Sequence, residues 1–335
     1  MDNSMIYGFD LAKSIFHLVS LDGKRKKLRR SQVLPFFAQL PSSTIAMEAC
    51  GSSNYWAREL IALGHEIKLI PPQHVKAYLR GQKNDYNDAL AIAEAAAHGR
   101  IRDVPIKSVE QQNTQVLLHS RKRVVAERTR LVNHVRGILY EYGEAIPKTV
   151  AAFRRRLCEL KADESHISNP FIRTLLSRYY EQLLVLDEEL TWFDKQIAEQ
   201  VKLDDDCQRL KALPGFGSIV SYAFKSWLGS GGQFKRGRDA SAALGVIPKQ
   251  HSSGDKSRLF GITKKGDAYL RSLIIHGARS ALIQAEKKDD PLSQWVNRLI
   301  ATRGKNKATV ALANKMIRIA WVIVSRQEIY CPEAV

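Results

Sequence analysis

Short apolar runs broken by turn residues dominate the first third of the chain. Ile6 to Asp10 and Ile15 to Leu21 read as strands, the second turned at Asp22-Gly23 into a basic run from Lys24 to Arg30. Thr44 to Glu48 is a further strand, and Asn54 to Leu63 a helix ended by Gly64. Glu66 to Ile70 returns to strand and is stopped by Pro71-Pro72. Helices are expected over about 73–80 and 85–98, the latter closed by Gly99. Strands first paired as a hairpin and then alternating with helices predict a mixed sheet covered by helices. An RNase H-like sheet fits that order, with Asp10 on the central strand.

From about 108 to 210 the period changes to that of helices, including one over Gln111 to Tyr140. Ile172, Leu176, Tyr179, Leu183, Leu186, Leu190, Phe193 and Ile197 follow steps of four and three, a heptad seam. Such a seam closes either against the earlier helix of the same chain or against another subunit as a coiled coil. From about 211 to 330, LPGFG at Leu213 to Gly217 leads into an apolar helix. Gly215 and Gly217 there would leave backbone N–H groups open to a phosphate; an ordinary helix–turn–helix connection is the alternative. The expected division is thus 1–105, a sheet domain; 106–210, a helical arm; and 211–335, a mostly helical C-terminal domain.

The 335 residues, 44% of them hydrophobic, suffice for two or three cores. A formal net charge of +18 implies a polyanionic partner, because lysines and arginines that neutralise phosphates release counterions. No uninterrupted apolar stretch reaches the roughly 20 residues a membrane span needs. The most apolar window, Ile317 to Val324, contains Arg318, and the first residues lack a signal-peptide layout, so a cytoplasmic protein is expected. Cys50, Cys158, Cys207 and Cys331 have no paired metal-ligand spacing and should be free thiols.

Four acids carry the candidate chemistry: Asp10 in YGFDLAKS, Glu48 in IAMEACG, and Asp85 and Asp88 in KNDYNDA. The last two are three apart at a helix start and share a face. Carboxylates from two strand ends and a helix suit hard divalent cations. A pair of Mg²⁺ ions about 4 Å apart stabilises both oxygens of a phosphodiester displacement. Taken singly, Asp10 could be a solvent-facing acid, Glu48 a helix-start acid and Asp85 a cap. A second stretch, LGVIPKQHSSGDKSRLFGITKKGD, sets Ser252 and Ser253 among Lys249, Lys256, Arg258, Lys264 and Lys265. A serine on a basic loop is a phosphate contact, a turn, or a nucleophile toward a phosphodiester. Lys24, Arg25 and Lys26, with Arg121 and Arg123, are candidate phosphate contacts rather than base readers.

The four acids in these contexts, the helical arm, LPGFG and the serine stretch together resemble insertion-sequence transposases of the IS110 family. The likeness extends to the IS1111 branch and to the related Piv-type DNA invertases, over nearly the whole chain. The resemblance implies a RuvC-like DEDD domain with metal ligands Asp10, Glu48, Asp85 and Asp88, binding Mg²⁺ as two ions that Mn²⁺ can replace. It implies a C-terminal transposase domain whose nucleophile is the serine before the glycine, Ser253, with Ser252 the neighbouring alternative. It further implies donor and target DNA as substrates, a noncoding bridge RNA as guide, and a homo-oligomer, dimer or tetramer. A site-specific invertase without guide RNA, a junction nuclease, or a non-catalytic nucleic-acid-binding protein are the other readings.

Overall fold

The computed structural model describes residues 5–82, 84–146, 148–163, 167–253 and 256–334. The chain forms two compact units, 1–110 and 111–335. In the first, five strands, β1 (Ile6–Asp10), β2 (Ile15–Ser20), β3 (Arg25–Arg29), β4 (Thr44–Glu48) and β5 (Glu66–Ile70), form one sheet in the order β3-β2-β1-β4-β5. The first three strands are antiparallel, whereas β1, β4 and β5 run parallel. This mixed order fits the RNase H-like expectation and puts Asp10 at the end of the central strand.

Alternation along the strands assigns the two faces of the sheet. Phe9, Phe16, Ile45 and Met47 point one way, into a core shared with Phe37 of α1 (Val33–Gln39) and Trp56 of α2 (Ser53–Ala62). The Phe9 and Phe16 rings stack with centroids 5.5 Å apart, and Trp56 meets Phe16 edge-on at 5.2 Å. The other face carries Gly8 and Asp10 of β1, Ala46 and Glu48 of β4 and Val19 of β2. After the short α3 (Pro72–Val75), α4 (Asp85–Ala97) covers it with Ala89, Ala91, Ala93, Ala95 and Ala96 buried. The helix expected over 73–80 shrinks to α3, because Ala77 and Tyr78 bond to His74 and Val75, three residues back, as turns do.

The basic run after the turn is itself a strand: Arg25–Arg29 pairs antiparallel with β2 as the edge strand β3. Its charges conceal the strand from a hydrophobicity pattern, since only Leu28 is buried. Charged side chains on a sheet edge also deter pairing with other chains. The four cysteines are free thiols, as expected.

The second unit opens with α5 (Val109–Glu141), α6 (Val150–Leu160) and α7 (Pro170–Leu203). The heptad seam is covered within the chain. Leu176 and Leu183 are fully buried with Val132, Val135 and Leu139 of α5 and Phe153 and Leu157 of α6. Three ties set α5 and α7 antiparallel: Arg121 to Asp194 at 2.6 Å, Arg128 to Asp187 at 2.9 Å, and His134 to the Tyr179 hydroxyl at 3.0 Å.

The remaining elements are α8 (Asp205–Lys211), α9 (Ser218–Leu228), α10 (Gly237–Ala243), the hairpin β6 (Pro248–Ser253) and β7 (Lys256–Ile262), α11 (Ala268–Ala285), α12 (Pro291–Arg303) and α13 (Lys305–Ser325). Helix α13 is long and apolar enough to cross a membrane by length and composition, yet Leu312, Met316, Ile317 and Trp321 are buried in the core of this unit. Asp206 on α8 ties that core together, accepting from Arg209, Lys225 and, at 3.0 Å, Gln327. Gly215 packs on α11: a Cβ there would lie 2.5 Å from the Gly277 carbonyl oxygen, and one on Gly277 would lie 2.2 Å from that of Gly215. Close backbone approach therefore accounts for Gly215, independently of any phosphate. Gly217, at the start of α9, faces open space.

Candidate active site

Gly8 decides where the acids stand. An ideal Cβ at this position would lie 1.8 Å from the Ala89 carbonyl oxygen and 2.7 Å from the Ala93 nitrogen. Only a strand without a side chain, under a helix of alanines, permits this approach of α4 to β1. Asp10 is two residues beyond Gly8 on the same face, and Asp85 and Asp88 lie in the first turn of α4, just before Ala89. Gly8 is also the parallel partner of Ala46. Continuing that register two residues sets Asp10 beside Glu48, at the carboxyl ends of the two central strands.

Of the four acids, Asp85 is exposed, and Asp10, Glu48 and Asp88 are half-buried. Burial pushes the Glu48 carboxyl above its ordinary range, and the nearby Asp88 charge pushes it further the same way. A bound cation would relieve this repulsion. The N-terminus of α4 already assists, because the helix dipole favours negative charge in the first turn. Asn84 caps that turn, its side-chain oxygen accepting from the Tyr86 N–H at 2.9 Å, so Asp85 is not the cap. Asn87 donates to the Gln82 carbonyl at 3.0 Å and fixes the preceding loop.

The structure adds a residue that the sequence reading missed. His17 of β2 is paired with Asp10 across the hairpin. Its Nδ1 lies 3.4 Å from an Asp85 carboxylate oxygen, and donor atoms of Asp10, His17 and Asp85 all fall within 4.8 Å of one another. The donor set of oxygens and one imidazole suits a divalent cation. A histidine inside an apolar strand reads as a core residue; only the hairpin register reveals its neighbour.

Ser252 and Ser253 end β6, both exposed, and pair with Ser257 and Lys256 of β7. The expected serine loop is therefore an antiparallel ribbon up to Ser253. Gly254, Asp255 and the side chain of Lys256 lie outside the described residues. Consecutive strand residues face opposite ways, so Ser252 and Ser253 present their hydroxyls to different sides of the ribbon. Ser252 accepts from the Gln250 amide at 2.8 Å. Arg271 secures the base of the ribbon, donating to the carbonyls of Leu244 at 3.1 Å and Lys265 at 2.6 Å. Lys249, Arg258, Lys264 and Lys265 are exposed around it.

The other basic candidates divide by their partners. Lys24 pairs with Asp22 at 3.0 Å, Arg25 lies over the Tyr86 ring at 5.4 Å, and Lys26 near Phe36 at 5.9 Å. Arg121 is engaged by Asp194, and Arg123 by Glu127 on the same helix at 2.8 Å. Structural pairing accounts for Arg121 without a nucleic acid.

A mixed sheet with carboxylates at the ends of its central strands is a frame able to hold divalent cations, as enzymes that act on nucleic-acid phosphodiesters require. Comparison with known proteins makes this specific. Residues 7–144 match the family described as DEDD transposase of IS110 type, and residues 207–292 match "Transposase IS116/IS110/IS902 family". The chain is 41% identical to the "Transposase for insertion sequence element IS1111A" of Coxiella burnetii, over 98% of this chain and 92% of that protein. It is 42% identical to a "Probable family 20 transposase" of Pseudomonas aeruginosa, over 97% and 98%, and 33% identical to the "Transposase for insertion sequence element IS1328" of Yersinia enterocolitica, over 98% and 99%. The chain belongs to the IS110/IS116/IS902 family of insertion-sequence transposases, enzymes of DNA cleavage and strand transfer.

Proposed function

We propose that the chain moves its insertion sequence by divalent-cation-dependent cleavage and exchange of DNA strands through a serine-linked intermediate. The observation that carries the reading is the convergence of Asp10 and Asp85 within 4.8 Å, with Asp88 close enough to raise the Glu48 carboxyl, inside the DEDD family region. Asp10, Glu48, Asp85 and Asp88 hold the cation, for which Mg²⁺ is the natural choice among hard ions and Mn²⁺ a substitute. Bound there, it supplies charge stabilisation to the reacting phosphodiester. Ser253 attacks the phosphorus, the departing 3′ or 5′ oxygen takes a proton, and the new serine–phosphate bond keeps the strand attached for rejoining. Lys249, Lys256, Arg258, Lys264 and Lys265 hold the phosphate backbone near the ribbon.

The exposed positions of Ser253 and Ser252 on opposite faces support a single nucleophile of the two. Guidance by a noncoding bridge RNA, a dimeric or tetrameric assembly and a RuvC-like ancestry of the first domain rest on the family resemblance. The charge of +18 supports binding of a polyanion, DNA or RNA alike. The test is to trap a protein–DNA adduct during strand exchange and map it by mass spectrometry. Attachment at Ser253, absent in Ser253→Ala, supports the proposal; strand exchange in Ser253→Ala at the wild-type rate refutes the covalent step. Activity without RNA on sites read by protein would favour an invertase-like mode.

A further inference from the structure

The site is asymmetric in a way that the four acids alone do not convey. On one side of Asp10 stand Glu48 and Asp88, which offer only oxygen. On the other stand Asp85 and His17. The imidazole is buried, 7% exposed, and held edge-on by the Tyr86 ring with centroids 4.7 Å apart and planes at 78°. Its place is fixed twice over: by the β1–β2 pairing that sets it opposite Asp10, and by α4, which delivers Asp85 to its Nδ1.

We infer that His17 is a nitrogen ligand of the cation held by Asp10 and Asp85. Three donor atoms within 4.8 Å of one another stand close to the about 4.4 Å limit that bonds of about 2.2 Å set for ligands of one ion, so a small side-chain adjustment brings all three onto it. The Asp85 side chain, 64% exposed, has no comparable restraint from solvent; the buried imidazole of His17 gives the pair one rigid member. The inference rests on the cation reading of the acids and changes its consequence. A nitrogen donor is poorly suited to Mg²⁺ and better tolerated by Mn²⁺, although both ions favour oxygen. The His17 half of the site therefore discriminates between the two ions, whereas the Glu48–Asp88 half accepts either.

The probe is Mn²⁺ alone, bound to the full chain and examined by pulsed electron paramagnetic resonance. Nitrogen coupling to the bound ion is expected, and it should change from the ¹⁴N to the ¹⁵N pattern when the protein is labelled with ¹⁵N-histidine. This measurement needs no variant, so folding defects cannot obscure it. In His17→Gln, Mn²⁺ affinity should fall about 10-fold or more, within the range that ligand-shell changes produce. Mg²⁺ affinity should change much less. Mn²⁺ that binds, is displaced by Asp10→Asn, and shows no histidine nitrogen coupling overturns the inference but leaves the acids as ligands. Equal losses of Mn²⁺ and Mg²⁺ affinity in a folded His17→Gln also overturn it. Failure of the wild-type chain to bind Mn²⁺, or binding indifferent to Asp10→Asn, overturns this inference together with the cation reading beneath it.

Discussion

Replacing Gly8 with alanine adds one methyl group and should dismantle the site without touching an acid. The new Cβ would begin 1.8 Å from the Ala89 carbonyl oxygen, about 1.2 Å inside the 3.0 Å floor of real contacts. The atoms it meets belong to the helix backbone, so no rotamer change relieves the clash. Helix α4 must withdraw by more than about 1 Å and carries Asp85 and Asp88 with it. Overpacking of this kind costs about 1–3 kcal/mol of stability. A misplacement of about 1 Å in a reacting constellation lowers rates by about 100-fold. Urea unfolding of the purified chain should show the first loss, and single-turnover DNA cleavage the second. Combining Gly8→Ala with Ala89→Gly should rescue neither, because the obstruction is main chain. Gly51→Ala, whose Cβ meets nothing within 4 Å, serves as the neutral control. Wild-type cleavage and Mn²⁺ affinity in Gly8→Ala would refute the claim that this approach positions the acids.

Other perturbations follow from the same geometry. Because burial and then Asp88 raise the Glu48 carboxyl, its ionised form opposes folding: the associated stability is present at low pH and lost as pH rises through the raised folded value. Glu48→Gln should therefore raise the cation-free melting temperature at neutral pH while abolishing cleavage, as differential scanning and a nicking assay would read. Asp206 is the opposite case. Burial pushes its carboxyl up, but the Lys225 and Arg209 bonds outweigh that and hold it below the usual range. Its stabilisation is present above the unfolded carboxylate value and lost as pH falls through the depressed one; Asp206→Asn should cost about 2 kcal/mol at pH 7, measured by urea titration. Leu183→Ala, at a fully buried seam position, should cost about 2–5 kcal/mol in the same assay, and a loss below 1 kcal/mol would contradict intrachain packing of the seam.

The acids were legible in sequence because each sits at the boundary of a simple pattern. Asp10 and Glu48 close apolar strands, and Asp85 and Asp88 open an alanine-rich helix. What escaped notice depends on pairing rather than on local pattern. His17 acquires meaning only through its register with Asp10, and Gly8 only through the helix that crosses it. Strand β3 was concealed because four of its five residues are cations, which a period-two hydrophobic search cannot see. The β6–β7 ribbon reads as a loop for a similar reason: its serines, lysines and glycine carry turn chemistry, and β6 is exposed along its whole length. The heptad seam was plain, but the same spacing serves packing within a chain or between chains. The facing residues Val132, Val135 and Leu139 show which partner covers its first half.

Crystals of the chain grown with Mn²⁺, measured at the manganese absorption edge, would test the central claim most directly. The account requires anomalous density among the carboxylates of Asp10, Asp85 and their neighbours at the ends of β1 and β4, removed by Asp10→Asn. Manganese bound only elsewhere, or density there that survives Asp10→Asn, would contradict it.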